Sequence, residues 1–146
     1  MLGHIAVDRI TGLKGIITAV ADFLHSPQRI ELSPEKLHEG APVKGVWLDV
    51  PRLRIGKSKI KAPKFESTVT MGDKVMDNLT GFKGIAVGRF TFLNGCIRIE
   101  VASKTLKDGK PVEPEVFDEQ RLTGKISEQK PGGPRPGPTP YSTCKH

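Results

Sequence analysis

A segment of about fifty residues occurs twice in this chain, and the duplication constrains the fold more than any other feature. Shifting the sequence by 69 positions aligns residues 3–53 with residues 72–122 without a gap, and 19 of the 51 aligned pairs are identical. Repetition at a fixed period indicates repeated structural units. The sequence therefore predicts two copies of one module, residues 1–53 and 69–122, joined by a linker at 54–68 and followed by a tail at 123–146.

Each module is too small to be very stable alone. A domain of this size buries only about 60% of the surface that its unfolded chain exposes. We therefore expect the two copies to pack on each other, on the connecting segments or on a partner.

Glycine-centred turns between short apolar runs predict β-strands. Glycine and proline recur too often for an uninterrupted helical stripe, whereas β-branched residues alternate with turn signals. Positive backbone φ is expected at the turns, and a bulge or close backbone approach at glycines within strands. Asn94-Gly95 is a strong hairpin signal. The predicted structural turn positions are Gly12, Gly15, Gly81, Gly84, Asn94 and Gly95.

Four or five short strands in fifty residues hide their edges best by curling into a barrel. The predicted fold class is therefore all-β, with two tandem small barrels, an extended linker and a carboxyl-terminal arm. Phe23 and Phe92 occupy equivalent positions in the two copies, and we expect both in the barrel cores.

The net charge of +7 lies outside the modules. Residues 1–53 hold six basic and six acidic side chains, and residues 69–122 hold eight of each. The linker contributes +4 and the tail +3. The candidate partner-binding residues are therefore Arg54, Lys57, Lys59, Lys61, Lys64, Lys130, Arg135, Tyr141 and Cys144.

Both basic segments have extended character. Residues 54–61 alternate in places and are compatible with an exposed edge strand whose lysines discourage edge pairing. The proline- and glycine-rich residues 130–140 exclude helix and central strand, and favour an extended arm. Two interpretations of the arm remain open: a disordered tail, or a segment that becomes ordered on a partner.

The pattern of the second copy resembles a known group of proteins. Gly72-Asp73-Lys74-Val75, Thr80-Gly81-Phe82-Lys83-Gly84-Ile85 and Phe92-Leu93-Asn94-Gly95-Cys96 are similar to small uncharacterised tailed-bacteriophage proteins that carry one such module. Their layout in turn resembles KOW and Tudor barrels of the Src-homology-3 type. The first copy departs from the pattern at residues 25–27 and 47–48. The resemblance implies a barrel fold and supplies no catalytic motif.

Catalytic, cofactor and metal motifs are absent from the sequence. There is no phosphate-binding glycine loop, nucleophile elbow or zinc-binding helix, so we expect no enzyme activity, cofactor or metal. Asp8 and Asp77 precede turns and are expected to accept local backbone hydrogen bonds. Cys96 is expected to be a packed hydrophobe rather than a reactive thiol. The amino terminus lacks the apolar run of a signal peptide, and no stretch approaches the ~20 apolar residues of a membrane span, so we expect neither.

These features favour a structural protein of a bacteriophage particle. The expected role is capsid decoration or another virion accessory function, with synthesis in the host cytoplasm, binding to capsid or other virion proteins, and homo-oligomeric contacts. Two alternatives remain open: a nucleic-acid-binding accessory protein whose linker and tail contact phosphates without sequence readout, and an inhibitor of a host protein. Cys144 is either incidental or a site of cross-linking between subunits.

Overall fold

The structure, a computed structural model, describes residues 1–124. These residues are β-strands, turns and two short 3₁₀ turns, which confirms the all-β prediction. The strands of repeat 1 (residues 3–58) are β1 His4–Asp8, β2 Lys14–Phe23, β3 Arg29–Pro34, β4 Leu37–His38, β5 Ala41–Pro42, β6 Val46–Asp49 and β7 Leu53–Ser58. A 3₁₀ turn, Val50–Arg52, separates β6 from β7.

Repeat 2 (residues 72–124) follows the same order. Its strands are β8 Lys74–Asp77, β9 Lys83–Phe92, β10 Ile97–Ala102, β11 Leu106–Lys107, β12 Lys110–Pro111, β13 Glu115–Asp118 and β14 Leu122–Gly124, with a 3₁₀ turn at Glu119–Arg121. In both repeats the 3₁₀ turn separates the last two strands. The last strand of repeat 1 extends five residues into the predicted linker, as an edge strand.

Each repeat is an antiparallel sheet that curls without closing. In repeat 1 the hydrogen-bonded order is β6-β3-β2-β1-β7, and in repeat 2 it is β13-β10-β9-β8-β14. Within residues 1–124, β6 does not pair with β7, and β13 does not pair with β14. The expectation of closed barrels is therefore not met, since the 3₁₀ turn separates the two strands that would complete the ring.

The two repeats form one continuous ten-stranded sheet. The second half of β2 pairs antiparallel with the second half of β9, from Ala19 opposite Phe92 to Phe23 opposite Gly88. Ala21 lies opposite Phe90, its own equivalent in the other repeat. The register is therefore symmetric about this pair, and a local pseudo-two-fold axis passes through it.

A bulge in each repeat extends this junction. The register shifts between Ile17 and Ala19 in β2, and β9 shifts at the equivalent place, Val87. A bulge leaves one residue out of the ladder. At the junction, the carbonyls of Thr18 and Val87 accept the backbone N–H groups of Leu93 and Leu24, each at 2.9 Å. The bulged residues thus supply two further hydrogen bonds between the repeats.

Each repeat has its own hydrophobic core. The first contains Leu2, Ala6, Ile17, Val20, Ile30, Leu32, Leu48 and Leu53. The second contains Val69, Val75, Ala86, Ile99, Val101 and Leu122. The linker residues Ala62 and Phe65 pack against the first core, as does Leu93 from repeat 2. The cores are consequently separate, but the repeats are not independent.

The glycines named in the sequence analysis occupy positions with two kinds of constraint. Gly12, Gly81 and Gly95 have φ of 78°, 79° and 97°, where a side chain would be strained. At Gly15 and Gly84 the constraint is space. A Cβ atom would lie 2.4 Å from the Ser33 carbonyl oxygen and 2.3 Å from that of Ala102, respectively.

Candidate partner-binding surface

A buried carboxylate holds the first turn of each repeat to its last strand. Arg52 donates to Asp8 from Nε at 3.1 Å and from Nη2 at 2.7 Å. Arg121 donates to Asp77 in the same way, at 2.9 and 2.8 Å. Both aspartates are almost completely buried. We refer to each pair as a latch.

The turn after each aspartate completes the latch. The backbone N–H groups of Ile10 and Thr11 donate to Asp8, and the Thr11 hydroxyl donates as well. Thr80 makes the equivalent bonds to Asp77. This confirms the predicted local hydrogen bonds, while the arginine partners were missed.

Electrostatics keeps both latches ionised. The Arg52 guanidinium, followed by the Thr11 hydroxyl, holds the pKa of Asp8 far below its usual value, outweighing the opposing effect of burial. The Arg121 guanidinium does the same to the pKa of Asp77. Because every carboxylate oxygen is occupied, the latch is a structural element.

An aromatic cluster covers the junction between the repeats. Phe90 contacts Phe23 edge to face, with ring centroids 5.7 Å apart, and contacts Trp47 similarly at 5.8 Å. Neither core includes Phe23 or Phe92, so the expectation that both are core residues is wrong. Their strands continue past the core into the junction, where sheet alternation places both on the opposite face.

Two basic candidates of the linker, Arg54 and Lys57, lie on an edge strand of the sheet, and the others follow this strand in sequence. β7 is hydrogen-bonded to β1, with Arg54 opposite Val7 and Ser58 opposite His4, and stands at the end of the strand order. Arg54, Lys57, Lys61 and Lys64 are exposed. None of these four takes part in an ion pair between residues 1 and 124. We call this set the basic edge.

Lys59 differs from the other linker cations because it forms an ion pair with Glu35. Its backbone N–H donates to the Gly3 carbonyl at 2.9 Å, and that of Ile60 does so at 3.0 Å. Farther on, the Thr68 N–H donates to Glu119 of repeat 2 at 3.1 Å. The linker is thus tied to both repeats, so the basic edge has a fixed position on the protein.

A small β-hairpin, whose two strands have two residues each, projects from each repeat. β4 pairs with β5, and β11 pairs with β12, in small sheets separate from the main one. All residues of these strands and of the turns between them are exposed. Leu37 and Leu106, which are equivalent, are 67% and 62% exposed.

The remaining candidate residues lie in the second hairpin turn or in the carboxyl-terminal arm. Asn94 Oδ1 accepts the Cys96 N–H at 3.0 Å within the predicted hairpin turn, and Cys96 is buried. Lys130, Arg135, Tyr141 and Cys144 lie outside the described residues, as does the proline-rich arm.

Between residues 1 and 124, no group of three or more histidine, cysteine or acidic residues is arranged to hold a metal ion. No helix in the same range is long and apolar enough to cross a membrane.

Comparisons of the chain with protein-family models, curated proteins and solved structures found no match.

Proposed function

We propose that this protein is a non-enzymatic accessory protein of a bacteriophage particle, which binds an acidic surface of a capsid or other virion protein. The observation that carries the proposal is the basic edge: four exposed cations held on one strand and the anchored segment that follows it. Such a surface attracts an acidic partner over a distance of about one Debye length, ~8 Å at physiological ionic strength. The virion setting comes from the resemblance of the repeats to phage-encoded modules.

We further propose that each repeat is an open variant of the small Src-homology-3, KOW and Tudor barrels. The supporting feature is connectivity: five main strands, a 3₁₀ turn between the last two, and a last strand that pairs with the first. Barrels with this connectivity leave their binding surfaces on loops and edges, which is where the exposed cations and leucines of this chain lie.

Mass spectrometry of purified particles tests the virion assignment directly. We expect the protein in a fixed stoichiometry with the capsid protein and retained through gradient purification. Complete absence from particles would contradict this role.

The basic edge is tested by replacing Arg54, Lys57, Lys61 and Lys64 with glutamine. We expect particle binding to weaken at least tenfold at low salt, with a smaller effect at high salt because exposed charges are screened. The matched control replaces Arg9, Lys14, Lys36 and Lys44, which are also exposed and change the net charge equally. Equal weakening in both variants would show that only total charge matters.

The same variants distinguish the proposed virion role from the alternative of nucleic-acid binding, with which the basic edge is also compatible. Non-specific binding to duplex DNA weakens linearly in log affinity with log salt, in proportion to the phosphates neutralised. Loss of DNA retention by the basic-edge variant, with particle binding intact, would favour a nucleic-acid role.

A further inference from the structure

A depression on the surface of repeat 2 is lined in part by positively charged side chains. It has a volume of about 230 Å³ and is lined by Lys74, Val75, Lys83, Gly84, Lys104 and Thr105. The three lysines come from β8, from β9 and from the turn before β11. Three cations from three different segments therefore line one depression, within a module whose total charge is zero.

Strand register explains why the first two lysines meet. Lys74 lies opposite Ile85 and Met76 opposite Lys83. Residues two apart on a strand share a face, so Lys74 and Lys83 are diagonal neighbours on the same face, about 7–8 Å apart. Like charges at neighbouring positions repel each other.

Protein carboxylates of the described chain do not neutralise these lysines. None of the three takes part in an ion pair between residues 1 and 124. Asp73, the neighbour of Lys74 in sequence, accepts the Thr70 N–H at 3.0 Å. Asp77 and Asp118 are bound to arginines. These three carboxylates are therefore engaged elsewhere.

Repeat 1 provides an internal comparison. The residues equivalent to Lys74, Lys83 and Lys104 are Ile5, Lys14 and Glu35. Glu35 is itself ion-paired with Lys59 from the linker. The same backbone thus carries three lysines in one repeat, and in the other a single lysine beside an ion pair.

We propose that the depression on repeat 2 is an anion site that binds a phosphate group through Lys74, Lys83 and Lys104. Ammonium groups act as compact point charges, which suit a tetrahedral phosphate, whereas planar carboxylates are recognised best by the fork of arginine. The depression has room for a phosphate group together with several waters of about 30 Å³ each. Thr105 adds a hydroxyl donor to the lining.

The phosphate can belong to a small phosphate monoester or to a nucleic-acid backbone, and the two sources share this chemistry. A backbone phosphate would make the site one contact of a longer electrostatic footprint, with strong salt dependence. A monoester carries more charge on a single group and needs no further contacts. The proposal does not depend on the virion role, because it concerns a different surface from the basic edge.

Nuclear magnetic resonance titration of the full chain tests the site. The probe is inorganic phosphate at constant ionic strength, balanced with chloride. We expect saturable shifts of the Val75, Gly84 and Thr105 amides, and no saturable shifts of the equivalent Ala6, Gly15 and Lys36 amides. A second titration with a ten-residue thymidine oligonucleotide distinguishes the two sources: the same amides respond to both ligands if the natural ligand is a backbone, and to phosphate alone if it is a monoester.

Matched variants complete the test. Replacing Lys74, Lys83 and Lys104 with glutamine should weaken phosphate binding at least tenfold, and replacing the exposed Lys14, Lys36 and Lys44 should leave it unchanged. Equal, non-saturating shifts in both repeats would overturn the proposal, because they report general screening. A response of the same amides to polyglutamate, with no response to phosphate or oligonucleotide, would overturn it in favour of an acidic protein partner.

Discussion

Repeat 1 and repeat 2 share their buried framework and differ at their surfaces. Both contain the latch, the bulge at the fifth position of the long strand and the crowded glycine that follows its first residue. Their exposed positions carry different charge, as Glu35 and Lys104 illustrate. The backbone arrangement therefore depends on a small set of shared residues, whereas the exposed positions can differ in charge.

Within the shared framework, substitutions of the crowded glycines should have the largest effect on folding stability. Gly84→Val places a side chain against the Ala102 carbonyl, where a Cβ alone would lie at 2.3 Å. We expect a loss of about 4 kcal/mol or more in the free energy of unfolding, measured by urea denaturation. Gly15→Val should act similarly in repeat 1. The control is Gly56→Ala, where the nearest atom would lie at 3.4 Å; a comparably large loss there would show that crowding is not the cause.

Substitutions in the latches should have the next largest effect on folding stability, and the contribution of the latches should depend on pH. The folded-state pKa values of Asp8 and Asp77 lie below the ordinary value of 3.8. Their contribution to stability is therefore complete above about pH 4, and is lost as the pH falls towards the folded-state values. Asp77→Asn should lower the melting temperature at pH 7, because Arg121 loses its charged partner, and should flatten the decline below pH 4.

The control for the latch is Asp108→Asn, at an exposed hairpin tip with φ of 53°, a conformation that asparagine accepts. Its stability at pH 7 should match that of the unchanged protein. An unaltered acid transition in Asp8→Asn and Asp77→Asn together would exclude the latches as the source of acid sensitivity.

Two equivalent leucines at the junction should contribute unequally to folding stability. Leu93 packs against the core of repeat 1, whereas Leu24 is 37% exposed. Leu93→Ala should reduce the free energy of unfolding by about 1–2 kcal/mol, and Leu24→Ala by less than about 1 kcal/mol. Thermal denaturation of the two variants measures the difference, and equal losses would indicate that the junction is symmetric in packing as well as in register.

Substitutions in the projecting hairpins should have the smallest effect on folding stability. Leu37→Ser and Leu106→Ser change side chains that are more than half exposed, so each should change the free energy of unfolding by less than about 0.5 kcal/mol. Loss of particle binding with folding retained would identify the hairpins as docking elements. A large loss of stability would instead assign the leucines to packing within the protein.

Features that depend on local backbone geometry were predictable from the sequence. The turn glycines, the crowded glycines and the Asn94-Gly95 hairpin all follow from conformational limits that act within a few residues. The repeat also contained the signal for the latch, since Asp8, Thr11 and Arg52 are each identical to their counterparts. Local hydrogen bonds were expected for the aspartates, and a distant partner was not considered.

Features that depend on how strands meet were not predictable. Nothing in the sequence shows that β2 pairs with β9, so Phe23 was assigned to a core although it lies at the junction. The charge of each module was counted as zero, but charge acts by position: Lys74 and Lys104 are 30 residues apart in sequence and line one depression. The chain-wide balance could not reveal that grouping.

The pseudo-two-fold axis has a consequence for how this architecture can change. Two identical single-module chains paired in the same register would place the same amino acid against itself at the axis, so any substitution there would occur on both sides. In the duplicated chain the two positions are encoded separately, and a small residue, Ala21, lies opposite a large one, Phe90. Covalent fusion thus allows an unequal pair at the centre of the junction, a solution that is closed to a symmetric homodimer.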